Sequence, residues 1–379
     1  MSVLITGATG FVGCRLVREL LARPGGEPVT VLGRGSPESL RVRTERAITW
    51  LDAPPLPDGA LSRLRYVSGD LTRPGLGLDA ETRARVTAGL THLWHSAALL
   101  SLAGDPVPLY RSNVLGTRHV LDLADQAPHA QLVYVSTAYV AGRRLTGHIH
   151  EDDLREDHGF HNAYEESKYT AETMVHAWAR ARGRTATIMR PSLLITDRAV
   201  PSALPAQPLD TLTGILDNWS RSWPLPGRQP RGLHPAGRSR GDALQVRVTI
   251  DSEGALNVLQ ADYAARAMVC AAESLPGAPA VRTLHITHPQ NTPTASLCTA
   301  VEQRYPGLSL IPVTDLPDPT RIESLIAQRA GALTYVAMHR TYDRTHLRAV
   351  LGNRLGDPEP IDDAYLVRAV GQAEDAAPR

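Results

Sequence analysis

An α/β fold, doubly wound around a parallel sheet, is the architecture this sequence predicts. Three observations predict it. The first thirteen residues, MSVLITGATGFVG, carry a short apolar run, Val3 to Ile5, into a turn with glycines at 7, 10 and 13. An apolar, helix-like stretch follows at once, Phe11 to Ala22, and Pro24 closes it. Through the rest of the first half, short apolar runs alternate with helical patterns, as a parallel sheet covered on both faces requires.

The elements follow in order. Strands are expected at Val29–Leu32, Leu64–Ser68, His92–His95, Leu132–Val135 and Thr185–Met189, with long helices at Val107–Ala127 and Ala163–Arg182. The pattern breaks after Pro191. Residues 199–245 hold many prolines, arginines and glycines but only three acids, Asp210, Asp217 and Asp242. Long loops in compact domains are lids, binding loops or disordered segments, so this stretch reads as an irregular, lid-like insertion. Order returns with Leu244–Ile250, a helix at Ala261–Ser274, a strand at Arg282–Ile286 and a helix at Pro293–Tyr305. The expected division is a Rossmann-type dinucleotide-binding domain over 1–198, the insertion over 199–245, a mixed substrate-binding region over 246–371 and a frayed tail over 372–379.

Bulk properties narrow the partners. The 379 residues carry a net charge of +1, which gives no sign of nucleic-acid binding. No run approaches the roughly 18 apolar residues of a membrane span, and the N-terminus lacks a leader pattern. Cys14, Cys270 and Cys298 are few and far apart. They read as thiols of a reducing cytoplasm, with neither a disulfide framework nor a metal site.

Strand, glycine turn and helix in this order form a phosphate-binding unit. Gly7 allows the tight turn, Gly10 lets the backbone approach a pyrophosphate, and Gly13 lets the helix pack on the strand. Thr9, Phe11 and Val12 complete the turn. The helix N-terminus presents free N–H groups to the phosphates. The spacing is G-x-x-G-x-x-G, and TGATGFVG resembles the start of the extended short-chain dehydrogenase/reductase family. Arg34 follows the second strand, where an acid would favour NAD; an arginine pairs with a 2′-phosphate. Arg41, Arg43 and Arg46 add charge nearby. The cofactor expected is NADP(H). Asp70 and Leu71 after the third strand, and Ser96, Ala97 and Ala98 after the fourth, are further cofactor contacts by the same resemblance. His95 alone reads as a packed strand-end histidine.

Tyr164 and Lys168 lie four apart on one helical face. A phenol with its ordinary pKa near ~10 is a poor acid at neutral pH, and a neighbouring ammonium lowers it. Thr137 ends the preceding strand with a hydroxyl. The resemblance makes Thr137, Tyr164 and Lys168 the catalytic triad, with Lys168 also holding the nicotinamide ribose. It also makes Asn113 a prop of the site through a backbone kink, and places Pro191 and Ser192 beside the nicotinamide. Tyr139 reads as packing or pocket wall.

The resemblance also sorts the reactions. Dehydratases of this kind carry Asp-Glu directly after the threonine, where this chain has Ala138-Tyr139. Epimerases carry an acid after the second strand, where this chain has Arg34. The reductases remain. VSTAYVAG and YEESKYTAE look most like the fatty acyl and thioester reductase branch, yet the second pattern is shared with ketone reductases. No carrier segment is visible in the chain, so the expectation is an NADPH-dependent ketoreductase acting on a diffusible, polyketide-like carbonyl, as monomer or homodimer. Thioester reduction to an aldehyde or alcohol is the alternative, and a non-catalytic NADP sensor or scaffold a second. Trp219, Trp223, Leu225, Arg221, Arg228 and Arg231 of the insertion are expected to cover the substrate.

Overall fold

The computed structural model describes all residues except 1, 24, 52, 103, 199–203, 206, 208, 223–243, 275–279, 330–334, 336, 337 and 372–379. Its centre is a seven-stranded parallel sheet. Across the sheet the strands run 281–286, 186–191, 131–135, 90–95, 2–6, 29–33 and 64–68. Strand order reverses between 2–6 and 90–95, which is the switch point where such sheets open a crevice at their carboxyl ends. Ala186–Pro191 is buried at every position, because helices cover both faces of the sheet.

Local chemistry sets the helices that matter. Ala163–Arg182 starts at Asn162, whose side chain accepts a hydrogen bond from Glu165 N at 3.0 Å. It carries Glu165 and Glu166 in its first turn and Arg180 and Arg182 in its last, matching the helix dipole. Gly183 ends it in the left-handed conformation, φ +59°. Phe11–Leu21 starts at Gly10, which offers no side-chain cap, and has no acid in its first turn.

Two expected elements need correction. The helix expected at Val107–Ala127 is interrupted: Pro106–Leu109 is α-helical, Tyr110–Leu115 is a π turn, and α-helix resumes at Gly116–Ala124. The insertion is not wholly irregular, because Leu209–Ser222 forms an α-helix and the strand Leu244–Thr249 begins at its end. Ile215 and Leu216 of that helix enter a second apolar core with Val246, Val248, Tyr305 and Leu366. Trp223, Leu225, Arg228 and Arg231 lie outside the described residues, as do the side chains of Trp219 and Arg221 and the whole of 372–379.

Short parallel pairs lie outside the central sheet. Val258–Gln260 pairs with Leu193–Ile195, His339–Tyr342 with Thr146–Ile149, and Leu308–Val313 with Leu244–Thr249. Among the described residues no helix is long and apolar enough to cross a membrane.

Candidate active site

A cleft of about 450 Å³ opens at the switch point. Gly7, Thr9, Gly10, Arg34, Asp70, Leu71, Ser96, Ala97 and Ala98 line it. The sequence marks each of these, at the ends of four separate strands. Phe11, Val12 and Gly13 are not among its lining; they begin the helix behind it. Gly7 has φ +81°, and a Cβ there would sit 2.5 Å from Ala97 N. A Cβ on Gly13 would fall 1.9 Å from Gly7 O. The turn is therefore closed on itself and on the next strand, and only its outer face is free. The uncapped start of Phe11–Leu21 and the absence of an acid there suit the pyrophosphate of a dinucleotide.

Arg34 is exposed at the cleft edge and Arg43 also lines the cleft. The other two arginines turn away from this work. Arg41 is paired with Glu38 and Glu45, and Arg46 lies over the Trp50 ring at 3.8 Å. The Asp70 carboxylate accepts from Thr72 N and Oγ1 at 2.9 and 2.8 Å. That backbone bond leads the causes that hold it below the usual carboxylate range.

The second group gathers at the ends of the strands 131–135 and 186–191. Lys168 Nζ donates to Val135 O at 2.7 Å and lies 4.2 Å above the Tyr134 ring. Burial pulls its pKa down to about 7, against the raising effect of Glu172. Thr137 is buried and its hydroxyl accepts from Tyr139 N at 3.3 Å. Tyr164 is pushed above its ordinary value by burial and by Glu165. Here the structure departs from expectation: Lys168 spends a hydrogen bond on the strand end, and Tyr164 stays firmly protonated. Pro191 and Ser192 are buried one strand further along, outside the lining of the described cleft; Ser192 Oγ is buried with no hydrogen-bond partner. An orphaned hydroxyl at a strand end suits a polar group of the cofactor.

Sequence reasoning missed what holds this group. Glu172, one turn after Lys168, is fully buried and accepts from Ser136 Oγ at 2.5 Å. Arg190 Nε and Nη2 donate to its Oε1 at 2.9 and 2.5 Å. Burial alone would raise the Glu172 carboxyl; Arg190, with His176 and Ser136, overrides it and holds the pKa down at about 2. Arg190 also donates to Glu151 O at 3.2 Å and lies 3.4 Å from His285 Nε2. The one signal in the sequence was an acid at helical spacing from the lysine; its partner on another strand left none.

Asn113 sits in the π turn. Its side chain accepts from Leu99 N at 2.7 Å and donates to Leu99 O and to Ser167 Oγ, both at 3.0 Å. A π turn inside a helix is a recurrent mark of functional sites, and this one brings the side chain between the cleft rim and the tyrosine helix. Tyr139 is buried and stacked on Tyr335, with ring centroids 4.1 Å apart.

The relatives below among curated proteins each match about half of the chain. The isonitrile lipopeptide synthase of Streptomyces coeruleorubidus is 33% identical over 189 residues, 50% of this chain and 13% of that protein. The L-2-aminoadipate reductase large subunit of Penicillium chrysogenum is 30% identical over 215 residues, 52% of this chain and 15% of that protein. The chain thus spans less than a sixth of the length of these relatives. Among solved structures, the terminal R domain from the myxalamid PKS-NRPS pathway superposes with TM-score 0.76 at 23% identity, covering 98% of this chain and 90% of that one. A UDP-galactose 4-epimerase superposes with TM-score 0.63 at 17% identity, covering 98% of each. Both share the fold. The model of the Male sterility protein family of NAD-binding domains matches residues 5–268. The chain belongs to that family and is an NAD(P)-dependent oxidoreductase of the extended short-chain dehydrogenase/reductase type.

Proposed function

We propose that the protein is an NADPH-dependent thioester reductase, releasing a carrier-bound acyl or peptidyl chain as an aldehyde. The observation that carries this reading is the kind of relative that matches about half of the chain. An isonitrile lipopeptide synthase and a linear gramicidin synthase subunit of Brevibacillus parabrevis stand beside an aminoadipate reductase among these relatives. The sequence alone favours a diffusible ketone. The relatives favour the thioester instead, and VSTAYVAG and YEESKYTAE agree with that branch.

Arg34 and Arg43 at the cleft edge favour the 2′-phosphate of NADPH over NADH. When bound there, the cofactor supplies the hydride. Thr137 then holds the developing oxyanion and Tyr164 donates the proton to it. A phenol held above its ordinary pKa remains a donor throughout the neutral range. Lys168, once charged, steadies the phenolate left behind and holds the ribose. Asn113 ties Leu99 at the cleft rim to Ser167 of the tyrosine helix, and Ser192 has a hydroxyl left to offer the cofactor. With hydride and proton added to the carbonyl, collapse of the adduct expels the thiol and leaves an aldehyde.

The test is NADPH oxidation by wild type and Tyr164→Phe against acyl-pantetheine thioesters and against ketones. Thioester turnover with an aldehyde product, falling about 10²- to 10⁴-fold in the variant, is expected. Turnover of ketones alone would restore the ketoreductase reading. Cofactor binding without turnover of either panel would leave a sensor or scaffold.

A further inference from the structure

A series of hydrogen bonds runs from the cofactor cleft to the tyrosine helix. Ala97, in the cleft wall, donates its N–H to Thr6 Oγ1 at 3.4 Å. Thr6 Oγ1 lies 2.9 Å from His95 Nδ1, and His95 Nε2 lies 3.0 Å from Thr117 Oγ1. Thr117 Oγ1 donates to the Asn113 carbonyl at 2.6 Å. From the Asn113 side chain the series continues through Nδ2 to Ser167 Oγ, and from Ser167 Oγ to Tyr164 O at 2.8 Å. Thr6, His95, Thr117 and Asn113 are each 1% exposed, so no bulk water competes for these bonds.

The proton positions follow from which atoms can only accept or only donate. A carbonyl oxygen only accepts, so the Thr117 hydroxyl proton is committed to Asn113. Thr117 can then meet His95 only as an acceptor, and Nε2 must carry the hydrogen. A backbone N–H only donates, so Thr6 accepts from Ala97 and keeps its own proton for Nδ1. Every bond in the series therefore points the same way, from the cleft wall toward the helix. A second proton on the imidazole would reverse the bond at Thr6. Burial, aided by the Lys168 charge, pulls the ring down to about 3 and keeps it neutral.

The consequence lies at Asn113. Within the π turn, Gly116 N reaches back to Arg111 O rather than to the carbonyl one residue nearer. The Thr117 hydroxyl, fixed by His95, bonds to Asn113 O beside that wide turn. The Asn113 amide of the same turn is held against Leu99 and Ser167. We infer that His95, fixed as its neutral Nε2–H tautomer, is a positioning residue that ties the cofactor seat at Ala97 to the π turn and, through it, to the Tyr164 helix.

Two measurements test this, and only the second rests on the reductase reading. In protein with ¹⁵N-labelled histidine, the His95 signals are identified as those lost in His95→Gln. An Nε2–H pattern that does not titrate across neutral pH supports the tie. An Nδ1–H pattern, or a ring that titrates there, overturns it whatever the substrate proves to be. The kinetic arm compares His95→Phe with His95→Gln on whichever carbonyl substrate the enzyme turns over, normalised to folded protein. Phenylalanine fills the volume but donates nothing; glutamine keeps a donor for Thr117. Positioning predicts that kcat falls about ten-fold or more in His95→Phe, with substrate KM little changed, and that His95→Gln recovers most of it. A packing role predicts that His95→Phe equals or exceeds His95→Gln, and that order would overturn the proposal.

Discussion

The cofactor side and the catalytic side of this sheet are built from different materials. Around the first turn the groups facing the cleft are largely backbone, brought close by glycines that leave no room for an added atom. At the ends of the strands 131–135, 186–191 and 281–286, outside the cleft's lining, the groups brought together are ionisable side chains, Lys168, Glu172, Arg190 and His285, sealed from solvent. The first region is limited by shape, the second by charge balance. A substitution on one side should fail for a reason that would be harmless on the other.

The largest effect is expected at Gly13. Alanine is about 1 kcal/mol better than glycine in a helix interior, so propensity alone predicts stabilisation. The Cβ would nevertheless lie 1.9 Å from Gly7 O, and backbone has no cheap way to yield. Gly13→Ala should lose measurable NADPH binding in a titration while the far core stays folded by circular dichroism. Normal binding would mean that the turn is looser than its geometry, and the contrast between the two sides would collapse.

Glu172→Gln tests the other side. It changes little in volume but leaves Arg190 buried with its counter-charge gone. Breaking a buried pair in this way costs about 3–5 kcal/mol. Urea unfolding should show that loss, and Glu172→Leu combined with Arg190→Met should recover much of it, because the pair as a whole is replaceable by apolar volume. A double variant as unstable as the sum of the singles would argue that shape governs here too.

Legibility in the sequence divides along the same line. The glycine turn, Arg34, Asp70 and Ser96–Ala98 were readable because each sits at the end of an apolar run, and the turn's chemistry is local in the chain. Their common cleft follows from the parallel sheet alone. Lys168 and Glu172 were visible as helical neighbours, but Ser136 and Arg190 reach them across two strands, and no spacing announces that. The π turn at 110–115 was invisible because one extra residue in a turn hardly disturbs a helical apolar pattern. The helix Leu209–Ser222 was hidden by its surroundings: Leu209, Leu212 and Leu216 keep helical spacing, but the prolines and glycines of the window dominate its composition.

Acid provides a sharper probe of the sealed side. His95 and His285 are pulled down to about 3, in each case first by burial, from an ordinary value of 6.5. Between those values the unfolded chain binds protons that the folded one refuses. Stability is therefore unaffected by these rings above pH 6.5 and is lost as pH falls from 6.5 toward 3. The slope approaches about 1.4 kcal/mol per pH unit for each ring. Glu172, held at about 2 against an ordinary 4.5, adds to the loss in the lower part of that range. Denaturant midpoints measured on either side of pH 6 should diverge accordingly. A flat profile would mean that water reaches these rings.

The smallest effect is the most selective, and it separates charge that the cleft uses from charge that merely lies nearby. Arg34 and Arg41 are both exposed arginines at the end of the second strand and the start of the next helix. Arg34 lines the cleft, whereas the Arg41 guanidinium is already divided between Glu38 and Glu45. A free guanidinium forms charge-assisted bonds with a phosphate, while one already shared by two carboxylates has little left to offer. Arg34→Ser should raise the KM for NADPH about ten-fold and leave that for NADH unchanged, since exposed pairs of this kind are modest in strength. Arg41→Ala should change neither. Equal effects from the two substitutions would show that the cleft senses the summed field of the arginine-rich helix. The cofactor side would then be governed by charge after all, and its difference from the catalytic side would reduce to burial.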